Sequence, residues 1–132
     1  MRGLAGAALV CAVLALGVSA AVAQEAKVTP LMSRDLAAAP GKEVVVLTVD
    51  YPPGGSSGPH RHNAQTFVYV LEGSVVMQVK GGPLQTLGPG QTFYEGPEDV
   101  HVVSRNASQS KPAKFLVVFV KDKGAPAVVP AQ

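Results

Sequence analysis

His60, Arg61 and His62 place two imidazoles two positions apart, and the chain's only other histidine is His101. In an extended segment, residues i and i+2 project from the same face. His60 and His62 then point into one space, while Arg61 faces away toward a surface ion pair. Pro59 fixes an extended backbone at the start of this stretch. Neutral imidazole nitrogens ligate zinc, iron, copper and nickel. Three of them with open positions suit a divalent ion whose remaining sites hold water. His101 follows the turn-rich EGPEDV and opens a later apolar segment. A metal reading requires the fold to bring all three histidines together.

The elements that would position them are short. From Glu43 onward the chain alternates β-branched and apolar runs with glycine- and proline-rich breaks. The runs Val44–Asp50, Thr66–Leu71, Val75–Lys80, Leu84–Leu87, Thr92–Glu95, His101–Ser104 and Phe115–Lys121 read as strands. PPGGSSGP, EGS, KGGP, GPG and EGPED read as turns between them. No apolar stripe of helical period appears after the first residues, so the expectation is an all-β sandwich or barrel. The barrel is expected over residues 43–121. An N-terminal arm with at most one short strand (residues 24–42) precedes it. A Pro/Ala-rich tail (residues 122–132) follows, lying on the surface or on a partner subunit.

Residues 1–23 are read as a signal peptide. Arg2 gives a positive start, Leu4 to Val18 an apolar run, and Ala21-Val22-Ala23 a small-residue cleavage site. The expected location is therefore periplasmic or secreted, with no stable membrane anchor. Cleavage near Ala23 removes Cys11, the single cysteine, so no disulfide or thiolate metal site is expected in the remaining 109 residues. Ten basic and nine acidic residues remain, a balance that gives no reason to expect nucleic acid as a partner. A small-molecule ligand or substrate is the expected partner. Val44-Val45-Val46, Val75-Val76 and Val117-Val118 supply more apolar face than one small barrel needs, so a homodimer is expected.

Gly54, His60, His62 and Gly73, followed by Gly90, Gly96-Pro97, His101 and Asn106, form two ordered motifs. Together they resemble the cupin superfamily pattern G-x5-H-x-H-x3–4-E-x6-G and G-x5-P-x-G-x2-H-x3-N. The resemblance implies a small antiparallel jelly-roll barrel with a metal inside. His60, His62 and His101 match the histidine ligands, and Gly73 and Gly90 match turn glycines. Two departures stand out. The family's glutamate falls at Thr66, or at Phe67 in the longer spacing, and neither is an acid. Asn106 stands one residue late, and the Pro-x-Gly turn is replaced by Gly96-Pro97-Glu98.

Three groups could stand in for the missing carboxylate. Thr66 shares a face with Val68 and Val70 and offers a hydroxyl. Gln65 would turn inward only through a bulge at Asn63-Ala64. Glu95 carries the one charge of its strand, where Tyr94 and Glu95 cannot both face in. The favoured expectation is a three-histidine site with solvent in its open positions. Glu95 completing the site is the second reading, and histidines without metal the third. The ion, one of Fe, Mn, Zn, Ni or Cu, would keep its full +2 charge in the first case and a net +1 in the second. The functional expectation is a metal-dependent, oxygenase-like enzyme acting on a small oxygen-rich molecule. The alternative is a non-catalytic metal-dependent binding or sensing protein. Glu72, Glu98 and Asp99 lie at turns and read as solvated; Tyr69 and Phe93 read as packing residues.

Overall fold

The computed structural model describes residues 25–131, and the expected signal peptide lies outside them. Eleven strands form two sheets, with no helix among the described residues. One sheet runs in the order β1 (Lys27–Asp35), β2 (Lys42–Tyr51), β10 (Ala113–Asp122), β5 (Ala64–Glu72), β8 (Thr92–Glu95). The other runs β11 (Val129–Pro130), β4 (His60–Arg61), β9 (Val100–Asn106), β6 (Val75–Val79), β7 (Gln85–Leu87), with β3 (Ser56–Ser57) also on β9. Every pairing is antiparallel, as the jelly-roll expectation requires.

Period-two alternation decides which side chains enter the barrel. Along β5, Ala64, Thr66, Val68 and Val70 are buried, while Gln65, Phe67, Tyr69 and Leu71 are exposed. Its neighbour β10 sends Phe115, Val117, Phe119 and Lys121 inward. With Val49, Tyr51, Val75, Met77 and Phe93 these close one core between the sheets. Each large apolar side chain so buried contributes about 1.5–3 kcal/mol. The turn at Gly73 accepts no other residue. Its φ is +68°, and a Cβ there would stand 2.4 Å from the Pro112 carbonyl oxygen.

Both ends of the described residues are more tightly fastened than their composition suggests. Lys27–Asp35 pairs along β2, with one register slip between Pro30 and Met32. Most of its side chains are exposed, so no apolar pattern marked it as a nine-residue strand. Its order comes from the backbone hydrogen bonds of the β2 edge. The tail is held by buried Lys121, whose ammonium pairs with Glu43 and donates to the carbonyls of Asp122 and Ala125. Beyond it β11 joins β4. The outer face of the first sheet is apolar: Phe67, Tyr69, Leu71 and Tyr94 are exposed beside half-buried Leu116 and Val118.

Candidate metal centre

Strand pairing assembles the histidines. β4 lies on β9 with His60 directly opposite His101, and His62 follows on the same side as His60. His60 is half-exposed, whereas His62, His101 and Glu95 are buried. One ligand atom from each of these four side chains lies within 4.8 Å of the others. Ligand atoms around an ion at about 2.1 Å stand about 3.0–4.2 Å apart, so a small contraction fits the cluster to a metal.

Backbone carbonyls set the tautomers. His60 Nδ1 lies 2.8 Å from the Gly58 oxygen and His62 Nδ1 2.9 Å from the Ala127 oxygen. A carbonyl only accepts, so both Nδ1 atoms carry the proton and both Nε2 atoms present lone pairs. Those two Nε2 atoms approach to 3.1 Å. Two lone pairs facing at this distance repel unless a cation lies between or beside them. Burial, the largest cause, pushes the His62 imidazole below its ordinary pKa, with Glu95 and the Ala127 carbonyl acting the other way. His62 is thus neutral at pH 7, the form a metal requires. Its ring also packs on Phe119 at a centroid distance of 4.8 Å.

Glu95 supplies the charge. Its Oε1 lies 3.0 Å from His101 Nδ1 and its Oε2 3.7 Å from His62 Nε2. The first contact is out of line for a hydrogen bond, so Glu95 Oε1 and both nitrogens of His101 stay buried without a partner. Thr66 Oγ1 is unpartnered too. Buried polar atoms are almost always satisfied. Four orphans in one cluster mark a place built around something else.

The three stand-ins for the family's acid are now separated. Gln65 points to solvent, and regular pairing of Ala64 with Lys121 and Gln65 with Val120 leaves no bulge to turn it inward. Thr66 faces in but contributes only a neutral hydroxyl. Glu95 sits directly opposite Thr66 in the β5–β8 ladder. Facing residues of an antiparallel pair have Cβ atoms about 4.5–5.5 Å apart. A carboxylate on either strand therefore reaches the same interior space. This favours the second sequence reading, Glu95 within the ligand group, over three histidines alone. Tyr94 faces out, as its alternation with Glu95 demands. Arg61 pairs with exposed Glu98 at 3.8 Å, and Asp99 accepts the Gly96 amide; neither acid enters the cluster. Glu72 is exposed. Phe93 packs in the core, whereas Tyr69 lies on the outer surface. The Ala127 carbonyl had no sequence signal, because its role depends on where the tail returns.

The cluster opens on a cavity of about 630 Å³ inside the barrel. A second hollow of about 560 Å³, lined by Phe67, Tyr69, Tyr94, Leu116 and Val118, lies on the outer sheet face away from the histidines.

The family model for the cupin domain matches residues 47–119, and the chain belongs to that family. No curated protein matches the sequence. Among solved structures, an oxalate oxidase in complex with the substrate analogue glycolate is 26% identical, with a TM-score of 0.58 over 79% of this chain and 54% of that one. The polyketide cyclase RemF from Streptomyces resistomycificus is 26% identical, with a TM-score of 0.54 over 67% of this chain and 62% of that one. The DMSP lyase DddQ from Ruegeria pomeroyi DSS-3 is 24% identical, with a TM-score of 0.57 over 65% of this chain. That last likeness shows the fold alone, and this chain spans 42% of the length of that lyase.

Proposed function

We propose that this chain is an exported metal protein in which His60, His62, His101 and Glu95 hold one divalent ion. On this reading the centre serves an enzyme acting on a small oxygen-bearing molecule in the barrel cavity. The observation that carries the proposal is the pair of Nε2 lone pairs facing each other at 3.1 Å beside a buried carboxylate. The bound ion acts as a Lewis acid toward a ligand oxygen. The protein's part is to hold three neutral imidazoles and one carboxylate in place and to keep bulk water out. Glu95 lowers the net charge of a divalent centre from +2 to +1, which suits a neutral or singly anionic ligand.

A non-catalytic binding protein is the second reading, and one observation favours it. Among the described residues, Tyr51 is the only titratable side chain lining the cavity besides the four ligands, so none of them places a separate carboxylate or histidine as a general base. Metal analysis of protein purified from its native compartment tests the centre. About one ion per chain is expected, with affinity reduced more than about tenfold in both His60→Ala and His101→Ala. Unchanged metal content in both variants sinks the site.

We also propose that two copies pair through the outer face of the first sheet, where Phe67 and Tyr94 pack at a ring separation of 5.4 Å. Monomers rarely expose a continuous apolar patch of this kind. Light scattering should give a dimer for the native chain and a monomer for Phe67→Glu. A native monomer at micromolar concentration refutes the pairing.

A further inference from the structure

Beyond the ligand cluster the cavity carries a second polar feature. Tyr51 Oη lies 2.7 Å from Ser57 Oγ and 2.7 Å from Ser104 Oγ, and all three residues line the cavity wall. Three hydroxyls own three protons, and two mutual hydrogen bonds use two of them. Whichever way the bonds run, one proton is left without an acceptor among the described residues. Burial pushes the Tyr51 phenol above its ordinary pKa, so the trio is neutral and the surplus proton persists. That proton is available to an acceptor oxygen of a ligand in the cavity.

The strand geometry separates this trio from the ligand cluster by a defined step. On β9, Gln78 pairs with Val103 and Val79 with His101, so Val102 is bulged out. The bulge puts His101 and Ser104, three residues apart, on the same inward face. They stand about 7–10 Å apart along the strand. Between and around them the wall is apolar, made by Val49, Val68, Met77, Phe115, Val117 and Phe119. Among the described residues, no lysine or arginine lines the cavity. A compact dianion would find one cationic centre and no second cation.

We propose that the cavity takes a small, mainly apolar molecule with two separated oxygens: one at the His60–His62–His101–Glu95 cluster and one carbonyl-type acceptor at the Tyr51–Ser57–Ser104 hydroxyls. This narrows the oxygen-rich molecule expected from sequence to an apolar body with oxygens at its ends. It rests on the proposed metal centre for the first of those oxygens only.

Calorimetric titration with matched probes tests it. 4-Acetylphenol carries a phenol oxygen and a distal carbonyl across an aromatic ring, and 4-ethylphenol has the same body without the carbonyl. Native protein should bind 4-acetylphenol at least tenfold more tightly than 4-ethylphenol, and both more tightly than oxalate. The tenfold preference should vanish when all three hydroxyls are removed together, in Tyr51→Phe/Ser57→Ala/Ser104→Ala, with 4-ethylphenol binding unchanged; a single removal still leaves one surplus proton. Retained 4-ethylphenol binding shows that this variant folds, and the native comparison of the two phenols tests the subsite without it. Equal binding of the two phenols by native protein, a preference kept in the triple variant, tighter binding of oxalate, or no phenol binding each overturns the inference. The two proposals fail separately. A carbonyl preference in protein that binds no metal removes the centre and keeps the hydroxyl subsite; a metal-loaded protein without the preference does the reverse.

Discussion

Strand β9 carries a buried polar cluster at each end, and the two are opposites. At its close, Asn106 donates through Nδ2 to the carbonyls of Lys111 and Pro52 at 2.7 and 3.1 Å, and its Oδ1 accepts the Ser108 amide at 2.9 Å. Its backbone amide bonds to Gly55 as well. Near its start, His101 has two ring nitrogens with no partner, beside an unpaired oxygen of Glu95 and the hydroxyl of Thr66. Asn106, His101, Glu95 and Thr66 are all buried. The satisfied one ties the β2, β3 and β10 loops to the end of the barrel and needs nothing further. The unsatisfied one lowers stability where it stands, which a fold tolerates at a site built for an occupant.

Mutations should therefore move stability in opposite directions at the two ends. Asn106→Ala strands the Lys111 and Pro52 carbonyls and the Ser108 amide, and should cost about 2–3 kcal/mol in denaturant unfolding. Metal content per folded chain should not change. A loss below about 0.5 kcal/mol would break the contrast from the structural side. At the other end, Thr66→Val keeps the shape and removes a buried hydroxyl that bonds to nothing. It should raise the stability of metal-free protein by about 1 kcal/mol and leave metal stoichiometry intact. Destabilisation by Thr66→Val would mean that the hydroxyl has a partner after all, and the two ends would then differ less than the geometry indicates.

Legibility followed the range of the interactions. His60 and His62 were readable as a pair because i and i+2 share a face in any extended chain. His101 was readable as their companion because the later motif sits at a spacing matched by a known family. Asn106 was readable as a motif residue standing one position late, and its hydrogen bonds give it a role, tying off the end of β9. Arg61 turned outward for the same alternation reason and found Glu98. Glu95 was one of three candidates and could not be chosen locally, since Thr66 and Glu95 lie 29 positions apart and meet only through the β5–β8 register. The N-terminal strand escaped because its side chains stay in water, and the tail because it is held through Glu43, His60 and Arg61, all far from it in sequence.

Alternation and turn chemistry, both local, are written along the chain. They determined an all-β barrel, which side chains face inward, and the three imidazoles available to it. The tertiary structure alone decided the carboxylate across from Thr66, the Ala127 carbonyl that fixes the His62 tautomer, and the bulge at Val102 that turns Ser104 into the same cavity as His101. Each of these depends on which strands become neighbours and in what register, and no single strand carries that information.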